Sequence, residues 1–273
     1  MSEQGQVALI TGAASGIGRH LVGAFASRGY RVLATDLRTE VLHEVASRDG
    51  WPAGQVALGA LDVTQRAGWE ATLAQALTLH SRVDVLLNVA GVLKPGSVTS
   101  ITAEEVNAHL DVNVKGVIHG TRVVGAHMAE RGAGHIINLG SLASLAAVPG
   151  LALYSASKFA VRGFSIASAQ ELEKVGVAVT LMMPDAVETP MLELQVAYPE
   201  AALTFSGPRA LTVADVEAAV FDVVLPRRPL EIALPASRGI LSRVAVALPR
   251  LAMRVRPMLE KKGLREQARR KGP

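Results

Sequence analysis

"ALITGAASGIGRHL", residues 8–21, decides how this chain folds. A short apolar run ends at Thr11, and a helix-like run, "GIGRHLVGAFASRG", starts at Gly16, which leaves Gly12, Gly16 and Gly18 around the turn. Glycines there let the backbone approach a ligand closely. A helix start adds unpaired N–H donors and the positive end of the helix dipole, which together suit a phosphate. A tight turn with no ligand accounts for the same glycines equally well, because the spacing is TGxxxGxG rather than GxGxxG.

The next apolar run, "RVLATD", ends in Asp36, eighteen residues beyond Gly18. A carboxylate at that place can bond adenosine ribose hydroxyls and repel a 2′-phosphate, which favours NAD over NADP. The loop supplies Ser15 rather than a cation, although Arg38 is near enough to compensate in part. The simpler alternative is a solvated residue at a strand end. Further along, "VALGALD", "VDVLLNVAG", "GHIINLGS", "VAVTLMMP" and "LEIALP" read as strands. Helix-like runs such as "AGWEATLAQALTLH" and "YSASKFAVRGFSIASAQELEKVG" separate them. Continuous Val/Leu/Ile strands are buried on both faces, so the alternation predicts an α/β doubly wound parallel sheet with helices on both sides.

Of the 273 residues, 49% are apolar and 19% charged, a composition that can bury a large core. The absence of cysteine excludes disulfides and thiolate chemistry and suits a reducing cytoplasm, and no metal site is expected. "MSEQGQVALITG" lacks the basic and apolar regions of a secretory signal. The uncharged stretch from Gly132 to Ser157 is long enough to span a bilayer, but His135, Asn138, Ser141, Ser144 and Pro149 interrupt it, and it is expected in the interior. Residues 254–273 carry eight basic and two acidic side chains, against 20 and 22 in the remainder. The high pI therefore belongs to the tail, and the body is no nucleic-acid binder.

In this chain of three tyrosines, Tyr154 lies four residues before Lys158, the first charge after Arg131. At that spacing both face one side of a helix. A phenol titrating near ~10 is a poor base at neutrality. An ammonium about 4 Å away, at an effective dielectric of ~20, offers up to ~4 kcal/mol toward ionising it. Ser141, at the end of "GHIINLGS", can donate to an oxygen that gains charge. Asn113 falls mid-helix, where a buried polar bridge to water or to the lysine would explain it. Singly, these residues read as a core aromatic, a snorkelling lysine and a strand-end cap.

Together they resemble the short-chain dehydrogenase/reductase family. The likeness spans about residues 5–191 and rests on "TGAASGIG", Asp36, "LDV" at 61–63, "NVAG" at 88–91, Asn113, Ser141, "YSASK" at 154–158 and "PDAVETP" at 184–190. It implies a Rossmann-type catalytic domain over residues 1–238, with a substrate lid at about 190–212 and a C-terminal extension over 239–273. It implies that Gly12, Ser15, Gly16, Ile17 and Gly18 hold the pyrophosphate, that Asp36 and Leu37 meet the adenosine ribose, and that Asp62 and Val63 flank adenine. Asn88, Ala90 and Gly91 line the cofactor strand, while Pro184, Val187 and Thr189 reach the nicotinamide end. Tyr154 is then the acid/base and Ser141 polarises the carbonyl. Lys158 binds the nicotinamide ribose and lowers the tyrosine pKa, and Asn113 supports a water relay. The family also implies homodimers or homotetramers.

Two positions depart from the pattern. Val89 stands where a second Asn is usual, and Asp185 follows Pro184 where Gly is common. Asp185 would either meet a polar substrate group or simply occupy a turn. Met191, Leu192, Leu194, Val196, Leu203 and Phe205 give the lid an apolar character that suits a lipophilic alcohol or ketone, or packs the lid down. In the extension, Arg243, Arg250 and Arg254 are expected on one helical face, opposite Val244, Leu248, Leu251 and Val255. That layout suits peripheral contact with an anionic membrane, or burial in the enzyme or a neighbouring subunit, and Pro249 and Pro257 would divide it. The expected activity is NAD-dependent interconversion of an alcohol with a ketone or aldehyde. A non-catalytic NAD-binding scaffold and an NADP-dependent carbonyl reductase of the 3-oxoacyl type are the alternatives.

Overall fold

The computed structural model describes residues 5–271; the expected segments' outermost residues, 1–4 and 272–273, lie outside the described residues. All seven expected strands form. β1 (Val7–Thr11) leads through α1 (Gly16–Ser27) to β2 (Arg31–Asp36), and α2 (Thr39–Arg48) leads to β3 (Val56–Ala60). α3 (Arg66–His80) then returns the chain to β4 (Val85–Asn88). α4 (Ala103–Leu110) and α5 (Gly116–Arg131) precede β5 (Gly134–Leu139), and α6 (Ala152–Leu172) precedes β6 (Val177–Pro184). Beyond β6 come α7 (Pro190–Val196), α8 (Val213–Ala219), the single-turn α9 (Leu225–Arg227), β7 (Glu231–Leu234), α10 (Ala236–Ala247) and α11 (Pro249–Arg270).

The strands pair in the order β3-β2-β1-β4-β5-β6-β7, all parallel. Val/Leu/Ile-rich strands suit this arrangement because successive side chains enter opposite cores. Ala8 and Ile10 of β1 join Val32, Leu87, Phe25 and Phe221 on one face, whereas Leu9 joins Leu33, Leu86, Trp69 and Met128 on the other. The order reverses between β1 and β4. A crevice opens there past the carboxyl ends of both strands, the usual ligand site of such sheets.

The uncharged stretch 132–157 is interior, as expected: it supplies β5, a 3-10 turn (Leu142–Ser144) and the first turns of α6. The expected long helix before β5 is interrupted by a π-helical segment, Asp111–Lys115, with the fully buried Asn113 at its centre. The basic extension does not form one face. Leu248 ends α10 and Pro249 starts α11, so Arg243 lies on a different helix from Arg250 and Arg254. Pro249 takes the first helical position, where its missing N–H costs nothing, while α11 continues through Pro257. Among the described residues no helix is long and apolar enough to cross a membrane.

Candidate active site

One cavity of about 1020 Å³ runs from the loop after β1 to the inner sides of α10 and α11. Every catalytic and cofactor-binding candidate named from the sequence borders it except Asn88 and Asn113; of the expected lid residues, Met191, Leu192 and Leu203 border it and Leu194, Val196 and Phe205 do not.

At one end the β1–α1 loop makes a cradle. Gly12 and Gly16 have φ of +69° and +53°, the left-handed region that favours glycine. A Cβ on Gly18 would stand 2.3 Å from the Gly12 carbonyl oxygen, so the helix start can lie against the loop only without a side chain. Ser15, the N-cap of α1, makes no side-chain capping bond, and the first turn keeps its N–H groups for a ligand. Asp36, 7% exposed, ends β2 beside this loop. Its two carboxylate oxygens accept from the Ala14 and Arg38 backbone N–H groups, at 3.0 Å each. The exposed Arg38 guanidinium leans on Asp36 at 3.5 Å and on the Ser15 hydroxyl at 3.4 Å. A glycine cradle, a helix start and a fixed carboxylate match the pyrophosphate and adenosine ribose of a dinucleotide.

At the middle, Ser141, Tyr154 and Lys158 meet. Ser141 leaves β5 as the N-cap of the 3-10 turn, where its Oγ accepts from the Ala143 N–H at 3.1 Å. Its O–H lies against the Tyr154 phenol, and both hydroxyls border the cavity. Tyr154 and Lys158 share one side of α6 and are both buried. Burial pushes the Tyr154 phenol up to about 12, and the Ser141 hydroxyl bonded to it pulls more weakly the other way. Burial also pushes the Lys158 ammonium down to about 8. The expected lowering of the phenol by Lys158 is thus not the balance in the chain by itself. Lys158 Nζ stands 5.5 Å from the ring centroid and donates to the Leu139 carbonyl at 2.7 Å.

Two candidates act from outside the cavity. Asn113 clamps the segment after β4: its Oδ1 accepts from the Val92 N–H at 2.8 Å, and its Nδ2 donates to the Val92 carbonyl at 2.9 Å. The same Nδ2 donates to Ser157 Oγ at 3.0 Å, and Ser157 Oγ donates to the Tyr154 carbonyl at 2.7 Å. The bridge therefore reaches the helix that carries Tyr154 and not the lysine itself. Asn88 is turned away from the cofactor crevice and donates to Asn138 Oδ1 at 2.8 Å inside the sheet.

Asp185 is neither a free turn residue nor an open substrate contact. Its Oδ2 accepts from Arg238 Nε of α10 at 2.8 Å, an ion pair at the cavity wall between the end of β6 and the cap that α10 and α11 form. Residues of the extension that sequence reasoning did not assign to the site, among them Leu241, Ala245, Ala252 and Leu259, line its far end. Leu241 and Ala245 stand at i, i+4 on α10, and Ala252 and Leu259 at i, i+7 on α11, spacings that could have marked an inward side on each helix. The segment expected to form a lid, α7 with a 3-10 segment at Pro199–Ser206, lies under α11. Gln267, 3% exposed, donates from Nε2 to the Gln195 and Tyr198 carbonyls at 3.1 and 2.8 Å. Arg270 pairs with Glu188 and Glu193.

A dinucleotide cradle at a sheet reversal, facing a Ser–Tyr–Lys cluster, defines a class of nicotinamide-dependent enzymes, and the chain belongs to one of its families. The short chain dehydrogenase family model matches residues 6–198. A 3-alpha-(or 20-beta)-hydroxysteroid dehydrogenase of Mycobacterium tuberculosis is 39% identical over 69% of this chain and 72% of its own length. A 2-(R)-hydroxypropyl-CoM dehydrogenase of Xanthobacter autotrophicus is 36% identical over 71% and 80%. Among solved structures, a 3-ketoacyl-(acyl-carrier-protein) reductase of Brucella melitensis complexed with NADH superposes with a TM-score of 0.76 at 29% identity. That match covers 87% of this chain and all of the other.

Proposed function

We propose that the protein is an NAD-dependent oxidoreductase that interconverts a lipophilic alcohol and its ketone or aldehyde. The observation that carries this reading is the convergence of the Ser141 and Tyr154 hydroxyls and the Lys158 ammonium on one cavity. That cavity has a dinucleotide cradle at one end and an apolar chamber at the other.

In this reading the first-turn N–H groups of α1, with Gly12 and Ser15 to Gly18, hold the pyrophosphate. Asp36 and Leu37 take the adenosine ribose, and Asp62 and Val63 flank adenine. Ala90 and Gly91 back the dinucleotide, Lys158 takes the nicotinamide ribose, and Pro184, Val187 and Thr189 face the carboxamide. The Asp36 carboxylate, already fixed by two backbone N–H groups, repels a 2′-phosphate, which supports NAD over NADP. A bound nicotinamide supplies the hydride acceptor for an alcohol or the hydride donor for a carbonyl.

The chain's own groups manage the proton and the oxygen. In the reductive direction Tyr154 starts protonated, the state its burial favours, and gives its proton to the carbonyl oxygen while Ser141 O–H donates to the same atom. In the oxidative direction the phenolate takes the alcohol proton, and the Lys158 charge 5.5 Å from the ring favours that phenolate. Leu151, Met191, Leu203 and Leu241 give the chamber the apolar walls a lipophilic substrate needs.

The test is turnover of steroid, terpene and acyl alcohols and ketones with NAD and with NADP, followed by NADH or NADPH absorbance. Tyr154→Phe should lower the rate at least about a hundredfold while NADH binding, read by protein fluorescence, persists. Undiminished turnover in Tyr154→Phe, or a wild type that binds neither cofactor, overturns the reading.

A further inference from the structure

α10 and α11 are apolar on two sides. Leu241, Ala245, Ala252 and Leu259 border the cavity. Ile240, Val244, Leu251 and Met258 turn the other way and are 64%, 45%, 54% and 65% exposed. Ten of the eighteen large apolar side chains that stand exposed among the described residues fall between residues 240 and 264. So much bare hydrocarbon in one place marks a contact surface.

The charges beside it indicate with what. Arg250, Arg254, Lys261 and Arg265 run along α11 next to the Leu251–Met258 row at helical spacing. The two carboxylates of the helix are already taken, Glu260 by Arg256 and Glu266 by Arg269 and Arg270. A two-fold contact through this patch would bring two such basic helices together with no free carboxylate on either to offset them. An anionic lipid surface instead neutralises them and covers the apolar row.

We infer that the outer side of α10–α11 docks on the surface of an anionic bilayer, and that the cavity opens toward it. Leu241, Val246 and Met253 border the cavity yet are 54%, 53% and 70% exposed, so its mouth lies within the bare apolar patch. A lipophilic substrate then passes from lipid to Tyr154 with little contact with water. This substrate route rests on the oxidoreductase reading; the docking itself does not.

The experiment is co-sedimentation of the full chain with vesicles of phosphatidylcholine alone or mixed with phosphatidylglycerol. Binding should be strong to the mixed vesicles, weak to the neutral ones, and should fall as salt rises. Arg250→Gln with Arg254→Gln should lower partitioning about 25-fold, at roughly fivefold per charge near the surface. Ile240→Ser with Met258→Ser should lower it as well, with NADH binding and circular dichroism as controls for folding. Tyr154→Phe should sediment like the wild type, which separates loss of docking from failure of the catalytic reading. Absence of vesicle binding, or equal binding to neutral and anionic vesicles, overturns the inference. So does a dimer in ultracentrifugation that the Ile240/Met258 pair dissociates in a chain that ignores vesicles.

Discussion

Replacing Gly263 by Ala sets two opposite expectations against each other. In an exposed helix, Gly→Ala stabilises by about 1 kcal/mol through propensity alone. In α11 the added Cβ would stand 1.8 Å from the Ala202 carbonyl oxygen and 2.6 Å from its carbon, both backbone atoms that cannot rotate aside. The helix must retreat by roughly 1.5 Å to reach ordinary van der Waals separation. That retreat stretches the Gln267 bonds to the Gln195 and Tyr198 carbonyls, now 3.1 and 2.8 Å, out of range. Two such bonds contribute about 1 kcal/mol each, and the pairs of the largely exposed Glu188 and Glu193 with Arg270 add less. Against the propensity gain, docking of α11 should weaken by about 1–2 kcal/mol, which is about 5- to 30-fold in local opening. Hydrogen exchange of peptides from 199–206 and 249–270 reads this directly, and exchange should quicken there while peptides from β1 to β6 stay as they are. Slower or unchanged exchange at 249–270 would mean that propensity prevails and that the close approach to Ala202 does not hold the cap.

Three further outcomes follow from the buried and charged groups. Lys158 titrates at about 8, below the ordinary 10.5, so folding must bury an ammonium at lower pH and is relieved of that cost as pH rises from 8 to 10.5. Urea titrations should show the wild type gaining up to about 3 kcal/mol over Lys158→Met across that window. His135 is pushed down to about 3 by burial and by Arg228, so its contribution is present above pH 6.5 and lost as pH falls toward 3. His135→Leu should flatten that acid slope, worth up to about 5 kcal/mol in the wild type, in urea titrations over the same range. Asp36→Ala should raise the ratio of NADP to NAD kcat/KM at least about tenfold, since it removes a buried carboxylate and leaves Arg38 beside Ser15; an unchanged ratio would place cofactor choice elsewhere.

The central strands were legible because β1, β4, β5 and β6 are apolar runs buried on both faces, and the Tyr154–Lys158 pair because a helix repeats near four residues. Asn113 was found by its type and place but not by its geometry. Helical periodicity passes smoothly across 111–115, and nothing in it signals the π segment that turns the amide onto Val92 and Ser157. Asn88 misled for a different reason. β4 ends at Asn88, so the alternation that would place it with Ala90 on one face stops between them. The Asp185–Arg238 pair joins residues 53 apart, a separation at which local pattern carries no information. For the same reason the sign of the Tyr154 shift was missed: proximity to Lys158 is local, whereas the burial that outweighs it is assembled from elements throughout the chain.

The cap has a mechanical asymmetry that follows from where its polar ties fall. At its start Arg238 and Arg243 reach Asp185 and Glu231, and at its end Lys262, Gln267 and Arg270 reach the lid and Glu188. Among the described residues, the span between, 244–261, has only ties within the cap, such as Arg256 to Glu260. That span lies over the apolar half of the cavity and is held to the body by apolar contact alone. Such contact is non-directional, so an apolar guest can replace it with little loss, whereas a displaced ion pair or buried amide would need a matching partner. The cradle end differs in kind, because Gly18 against Gly12 and Asp36 against two backbone N–H groups fix it within the sheet. One cavity therefore joins a rigid polar half to a half whose roof can lift without breaking a polar bond to the body. The proposed reading uses both halves, the first for a cofactor bound in one geometry and the second for a lipophilic substrate.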